Sequence, residues 1–288
     1  MTPDLVWREV FLRVDLQDLG RVVQVCQQFH ALIDETFWKR RCHFDGIDLP
    51  PARVVAVGEQ NGRHFDYRRL LAIASASHTN PYGKNIIARV PVNQPQHPDF
   101  NGNPACYIYV SRLLYEEPPV GCFAPGPSHC LAAHCHWGLR RIRLELLECG
   151  FEDWILDHVR PKIVVGERHA PRNDASATYD FTAELRIAGE VAPRIPDMIK
   201  QERHKRFSAE YEKRSEHPWT TECVEFEGYT GGIRYLTVKS EGSTLSDEPE
   251  DCRGMKFTDT FIRVEFPAEL KWHEMDATSH PACNVPVM

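Results

Sequence analysis

The sequence has no stretch near the roughly 18 consecutive apolar residues that a membrane-spanning helix needs. Its opening MTPDLVWREVF lacks the basic start and apolar run of a secretory signal. A protein of the cytosol or nucleus is expected, with cytoplasmic the simplest address and no membrane partner. No Asn-x-Ser/Thr sequon occurs, and the ten cysteines lack the regular spacing of a disulfide framework, so they read as reduced and mostly buried thiols. Positive charge is not in excess: 34 basic side chains are interspersed among 41 acidic ones for a net charge of −7, which leaves no large basic field to release counterions from nucleic acid. No G-x-S-x-G, P-loop or G-x-G-x-x-G pattern appears, and no catalytic residue or cofactor is assigned.

What is present falls into two textures. Residues 3 to 45 carry apolar side chains at three- and four-residue steps: Leu5, Val6, Val10 and Phe11, then Leu19, Val22, Val23, Cys26, Phe29, Leu32 and Ile33. That spacing predicts helices, with breaks at Asp15 and Asp34, where a short carboxylate can cap the helix that follows. A third short helix then holds Phe37, Trp38 and Cys42. A unit of about 45 residues is too small for a self-sufficient core, so it must pack on the rest of the chain or bury an apolar face in a partner. Residues 49–79, punctuated at Pro50 and Pro51, form a connector with a helical run around Tyr67 to Ala76.

From about residue 80 the pattern alternates with period two, as in half-buried strands. The clearest run places Tyr179, Phe181, Ala183, Leu185 and Ile187 on one face against Asp180, Thr182, Glu184 and Arg186. Ile142 and Leu144, Val224 and Phe226, Ile233 and Tyr235, and Ile262, Val264 and Phe266 read likewise, while Ile163-Val164-Val165 reads as a strand buried on both faces. Short strands without regular strand-helix alternation predict an α+β chain: an N-terminal three-helix unit (1–48) followed by an antiparallel β-sandwich (80–270). Residues 196–214 and the acid-rich 241–251 are expected as surface insertions, and 271–288 as a flexible tail.

The string PDLVWREVFLRVDLQDLGRVVQVCQQFHALIDETFWKRRC resembles an F-box: a proline-started first helix, an acidic-Leu step, Val-Cys with an aromatic three residues on, and a late Trp. The usual Leu-Pro start is replaced by Thr2-Pro3. The resemblance implies docking on a Skp-type linker, and through it on a cullin scaffold, by Pro3, Leu5, Phe11, Leu16, Leu19, Val22, Val25, Phe29 and Trp38. Exposed, such a face would be costly; docked, it gains roughly 25 cal/mol per Å² buried. The alternative is that the same residues are the core of a helical hairpin.

The remainder, roughly 80 to 266, resembles the F-box-associated domain of the sugar-recognising F-box proteins, a β-sandwich of the galactose-binding, jelly-roll type. The matching segments are Asn80-Pro81-Tyr82-Gly83, His136-Trp137, Gly150 with Leu156-Asp157, Pro161-Lys162-Ile163-Val164-Val165, Arg172-Asn173-Asp174-Ala175 with Tyr179, and Trp219 with Gly228-Tyr229 and Gly232-Ile233-Arg234-Tyr235. Trp137, Trp154 and Trp219 also read as core aromatics, and Asp174 as a turn-stabilising residue. The resemblance implies a non-catalytic adaptor of a ubiquitin ligase that recruits a client protein, with Asp174, Lys256 and Phe257 as candidate client-binding residues.

Sugar recognition needs an aromatic face for the ring and convergent donors and acceptors for its hydroxyls. The loop before the last strand, Cys252 to Asp259, lacks the Tyr-Trp-Lys of the sugar-binding members, and Cys135 stands at the family's earlier aromatic position. A client protein is therefore favoured over the alternative, a module for high-mannose N-glycans of misfolded glycoproteins. His129, Cys130, His134, Cys135 and His136 crowd five potential zinc ligands into eight residues. Direct neighbours in a strand face opposite ways and no second ligand pair supports them, so no metal site is assigned.

Overall fold

The computed structural model describes residues 3–90, 105–122, 125–134, 137–173, 175–189, 201–213, 217–244 and 254–274. Four short helices open the chain: α1 (Pro3–Phe11), α2 (Leu16–Val22), α3 (Gln27–Leu32) and α4 (Glu35–Phe44). They exceed the expected three because the run from Leu19 to Ile33 breaks in the middle. Residues 23–25 turn, and Cys26 is extended (φ −161°, ψ 163°) ahead of α3. The β-branched Val22, Val23 and Val25 weaken helix propensity at that point. The two expected caps differ. Asp34 accepts the Phe37 N–H at 2.8 Å, whereas Asp15 makes no side-chain cap bond.

Phe11, Leu12, Leu19, Leu32, Ile33 and Phe37 make a small core between these helices. The buried Arg41 guanidinium donates to the carbonyls of Phe11 (3.4 Å) and Val14 (2.6 Å) and to Asp45 (2.7 Å). A cation thereby satisfies the carbonyl end of α1, where the helix dipole favours positive charge.

The connector holds α5 (Ala52–Gln60), which periodicity did not single out, and α6 (Tyr67–Ser77), which it did. Val54, Tyr67, Leu70, Leu71 and Ala74 form one cluster with Cys42, Ile47, Trp154, Ile155 and Val159. At Gly58 an added Cβ would lie 2.7 Å from the Trp154 ring, so only glycine lets α5 seat so closely.

The rest is a sandwich of two antiparallel five-stranded sheets. The strands are β1 (Cys106–Ser111), β2 (Leu113–Glu116), β3 (Cys130–Ala133), β4 (Trp137–Glu145), β5 (Lys162–Pro171), β6 (Ala177–Ile187), β7 (His204–Tyr211), β8 (Thr220–Phe226), β9 (Ile233–Thr244) and β10 (Met255–Glu265). One sheet runs β1-β4-β9-β6-β7 and the other β2-β3-β10-β5-β8. The inward faces supply one core that includes Ile142, Leu144, Ile163, Val165, Tyr179, Phe181, Leu185, Phe226, Leu236, Val238 and Phe257. In β6 every second residue from Ala177 to Leu185 is buried, and Ile163 to Val165 are buried on both faces, as the alternating and continuous patterns predicted.

Three expectations change. The charged stretch 196–214 is no simple insertion: His204–Tyr211 pairs with β6 from Glu184↔His204 to Ala177↔Tyr211. Phe207, Ala209 and Tyr211 alternate toward the core, a signal masked by the charges on the edge strand's other face. Of the acid-rich stretch, Glu241–Thr244 extends β9, and 245–253 lies outside the described residues. Of the expected tail, Lys271–Glu274 is described and docked: Trp272 stacks on His158 at 4.4 Å and on Trp154 at 6.3 Å.

Candidate functional site

The helices divide the nine residues expected at a linker interface into two groups. Phe11 and Leu19 are buried in the helical core, and Leu16, Val22, Phe29 and Trp38 are half-buried against it. These six hold the unit together, as the hairpin-core alternative anticipated for some of them. Pro3, Leu5 and Val25 are exposed, Leu5 by 49% and Val25 by 67%. The apolar surface is completed by residues that were not assigned to the linker interface, since Val6, Trp7 and Val10 on α1 are also exposed. Trp7 is anchored by Phe29 (5.0 Å between ring centroids) and Phe11 (5.8 Å), which holds its outer edge in place. The signal for this face was present at Pro3, Val6, Trp7 and Val10, which follow an i, i+3, i+4, i+7 stripe.

Lys256 and Phe257, expected as a donor and a stacking face for a client, offer neither. Both are fully buried. The Lys256 ammonium is taken up by the Glu116 carboxylate and the Val120 carbonyl. Phe257 lies between the sheets, where the Arg140 guanidinium sits 5.1 Å over its ring. The error came from treating the segment as a loop. It is instead the start of β10, where consecutive side chains point to opposite faces. Asp174 and Cys135 lie outside the described residues.

Most of the motif residues are structural. Asp157 and Arg234, 77 positions apart, form a bidentate pair at 2.8 and 2.7 Å, and Asp157 also accepts the Gly232 N–H at 2.7 Å. The Leu156-Asp157 turn and the Gly232-Ile233-Arg234 segment therefore brace each other, and the hydrogen bonds to Asp157 raise the Arg234 pKa. The Tyr229 hydroxyl donates to the Pro161 carbonyl at 2.8 Å. Asn80 donates to Asp48 at 3.0 Å and accepts the Asp48 N–H at 3.2 Å, tying the first sandwich motif to the helical end. Trp154 is buried, while Trp137 and Trp219 are half-buried, with Arg112 at 5.3 Å and Arg168 at 6.0 Å over their rings.

The deepest polar groups belong to the core. Arg140 is paired with Glu167 and donates to Thr260 Oγ1 (2.6 Å) and Ser240 Oγ (3.1 Å), while Tyr179 donates to Glu167. Beside them, burial lowers the His169 pKa to about 4, and its ring stacks on Tyr179 at 4.2 Å. These groups cross-link the two sheets without reaching the surface. Of the His/Cys cluster, Cys135 and His136 lie outside the described residues. Among the described residues no group of three or more metal-ligating side chains converges. Burial pushes the Cys130 thiol up, away from the thiolate that a metal ligand needs.

The described chain has two parts: helices that leave apolar side chains exposed, and a β-sandwich. Residues 3–43 match the F-box-like family, so the N-terminal helices are an F-box-like domain, a domain that implies a Skp-type partner. No curated protein matches the chain in sequence.

Among solved structures, the enzymatically active domain of bacteriophage CBA120 tailspike protein 4 aligns with 60% of this chain at 6% identity and a TM-score of 0.32; the aligned part is 21% of the tailspike chain. TmCBM61, solved with β-1,4-galactotriose, aligns with 56% of this chain and 88% of its own at 8% identity and a TM-score of 0.29. The CBM22-1 xylan-binding domain of Paenibacillus barcinonensis Xyn10C aligns with 57% of this chain and 83% of its own at 11% identity and a TM-score of 0.28. Among the described residues, no helix is long and apolar enough to cross a membrane.

Proposed function

We propose that this chain is the substrate-recognition subunit of a Skp-cullin-F-box ubiquitin ligase, bringing a client protein to the complex and leaving ubiquitin transfer to other subunits. One observation carries the reading: the segment that matches the F-box-like family leaves Leu5, Val6, Trp7, Val10 and Val25 exposed on its surface. Five large apolar side chains on so small a unit are favoured on a partner and disfavoured in water. In this reading the sandwich is an F-box-associated domain that holds the client, and catalysis comes from proximity. A role in binding high-mannose glycans has less support, because Lys256 and Phe257 are spent inside the sandwich.

The test is co-expression with a Skp-type linker. The chain should co-purify with it, and Val25→Asp combined with Leu5→Asp should abolish co-purification while the thermal melting of the free chain is preserved, since both side chains are exposed. Leu19→Asp is a poor probe, because Leu19 is fully buried and a charge there unfolds the helices. Retained binding by the double variant would refute the docking assignment.

A further inference from the structure

The outer faces of the two sheets differ in what they leave available. On the β2-β3-β10-β5-β8 sheet, Ala132, Ala170 and Lys256 are fully buried, and the Val120 carbonyl takes the Lys256 ammonium from above. On the β1-β4-β9-β6-β7 sheet, three basic side chains are matched on their own face: Lys239 by Glu241, Arg206 by Asp180 and Arg186 by Glu184. At the β1–β4 corner only one of two arginines is matched in this way. Tyr107 and Tyr109 are 60% and 44% exposed, and the strand register sets Tyr107 opposite Arg143 and Tyr109 opposite Arg141.

Both arginines are exposed. Arg143 lies 4.5 Å over the Tyr235 ring with Glu145 at 3.7 Å, and Arg141 has no ion pair or hydrogen bond among the described residues. Two tyrosines and two arginines form a contiguous square in which charge is under-compensated, on a protein whose net charge is −7. Tyr and Arg are the residues that dominate binding hot spots, through large apolar rings and forked donors that match carboxylates. β1 also ends its sheet, with a strand partner on one side only among the described residues. An extended segment fits there, because same-face side chains on a strand recur about every 6.8 Å, the rise that separates Tyr107 from Tyr109.

We infer that the Tyr107, Tyr109, Arg141 and Arg143 surface is the client-docking site and takes an extended, Asp/Glu-rich segment of a client protein. The inference rests on the adaptor reading and names where that adaptor holds its client. Carboxylates meet the two guanidinium groups, and aromatic or aliphatic side chains at alternate positions lie on the tyrosine rings.

The test is selection of a displayed library of random dodecapeptides on the full chain, followed by anisotropy titration of the enriched peptides after fluorescein labelling. Enrichment in Asp and Glu is expected, with affinity that falls as salt rises. Arg141→Glu with Arg143→Glu should weaken binding by about tenfold or more, and Tyr109→Ala should weaken it severalfold. No enrichment, enrichment of neutral or basic sequences, or binding unchanged in the Arg variants would overturn the inference. So would binding confined to phosphorylated versions of the peptides, or to xylan and mannan oligosaccharides run as parallel arms. Co-purification with the Skp-type linker, measured on the same variants, separates the two readings. It should be unaffected by the Arg substitutions and lost with the Leu5/Val25 pair, which in turn should still bind peptide.

Discussion

Arg140 and Lys256 are two cations that the fold has taken wholly out of water, each by a different device. Lys256 points away from the core, into a pocket closed by Glu116 and Val120, while Arg140 points between the sheets and meets Glu167, Thr260 and Ser240. Removing one member of such a pair leaves the other charged, buried and unmatched, which is more damaging than losing both. Arg140→Met should destabilise the chain by about 3–5 kcal/mol in urea titration, and Arg140→Met with Glu167→Leu should recover a large part of that loss. A double variant no more stable than the single one would mean that the hydrogen bonds to Thr260 and Ser240, rather than the ion pair, hold the sheets in register.

At the scale of elements, the four N-terminal helices are short, and none exceeds the 10 residues of α4, so caps and packing must supply what length does not. Asp34 does two jobs there, accepting the Phe37 N–H and pairing with Arg8 at 2.6 Å, and these bonds lower its pKa against the opposing effect of burial. Asp34→Ala should cost about 1 kcal/mol and speed amide exchange in the first turn of α4. Asp15→Ala should change little, because Asp15 makes no side-chain bond to its helix. Equal effects of the two substitutions would show that side-chain capping is not what distinguishes these helix starts. The sequence placed a carboxylate at both breaks; only the local backbone decided which one reaches an N–H.

For the whole molecule, the helical end and the sandwich are sealed by a shared cluster in which Trp154, Ile155 and Val159 are covered by α4, α5, α6 and the Trp272 segment. A fragment cut at 80–270 strips that cover and exposes a tryptophan and several aliphatic side chains. It should aggregate or melt well below the full chain, whereas 46–274, which loses only α4 from that cover and retains α5, α6 and Trp272, should melt between the two. If 80–270 is equally well behaved, the connector is a spacer and not part of the sandwich's fold.

The sequence by itself determined the two textures and their order, because helical and strand periodicities are local: apolar steps of three and four through residue 33, then alternation such as that of Tyr179 to Ile187. It also determined the F-box-like match, whose punctuation lies within 41 contiguous residues, 3 to 43. Only the tertiary structure decided which apolar side chains of that match remain outside. Leu5 and Leu19 look alike in sequence, yet burial depends on which helix lies across each of them. Likewise, Lys256 reads as a loop donor until strand pairing turns it under Val120, and Tyr109 and Arg141 become one surface only when β1 pairs with β4 across 32 residues of sequence. Side-chain direction in a sheet is set by register, and register is fixed by partners that lie far away along the chain.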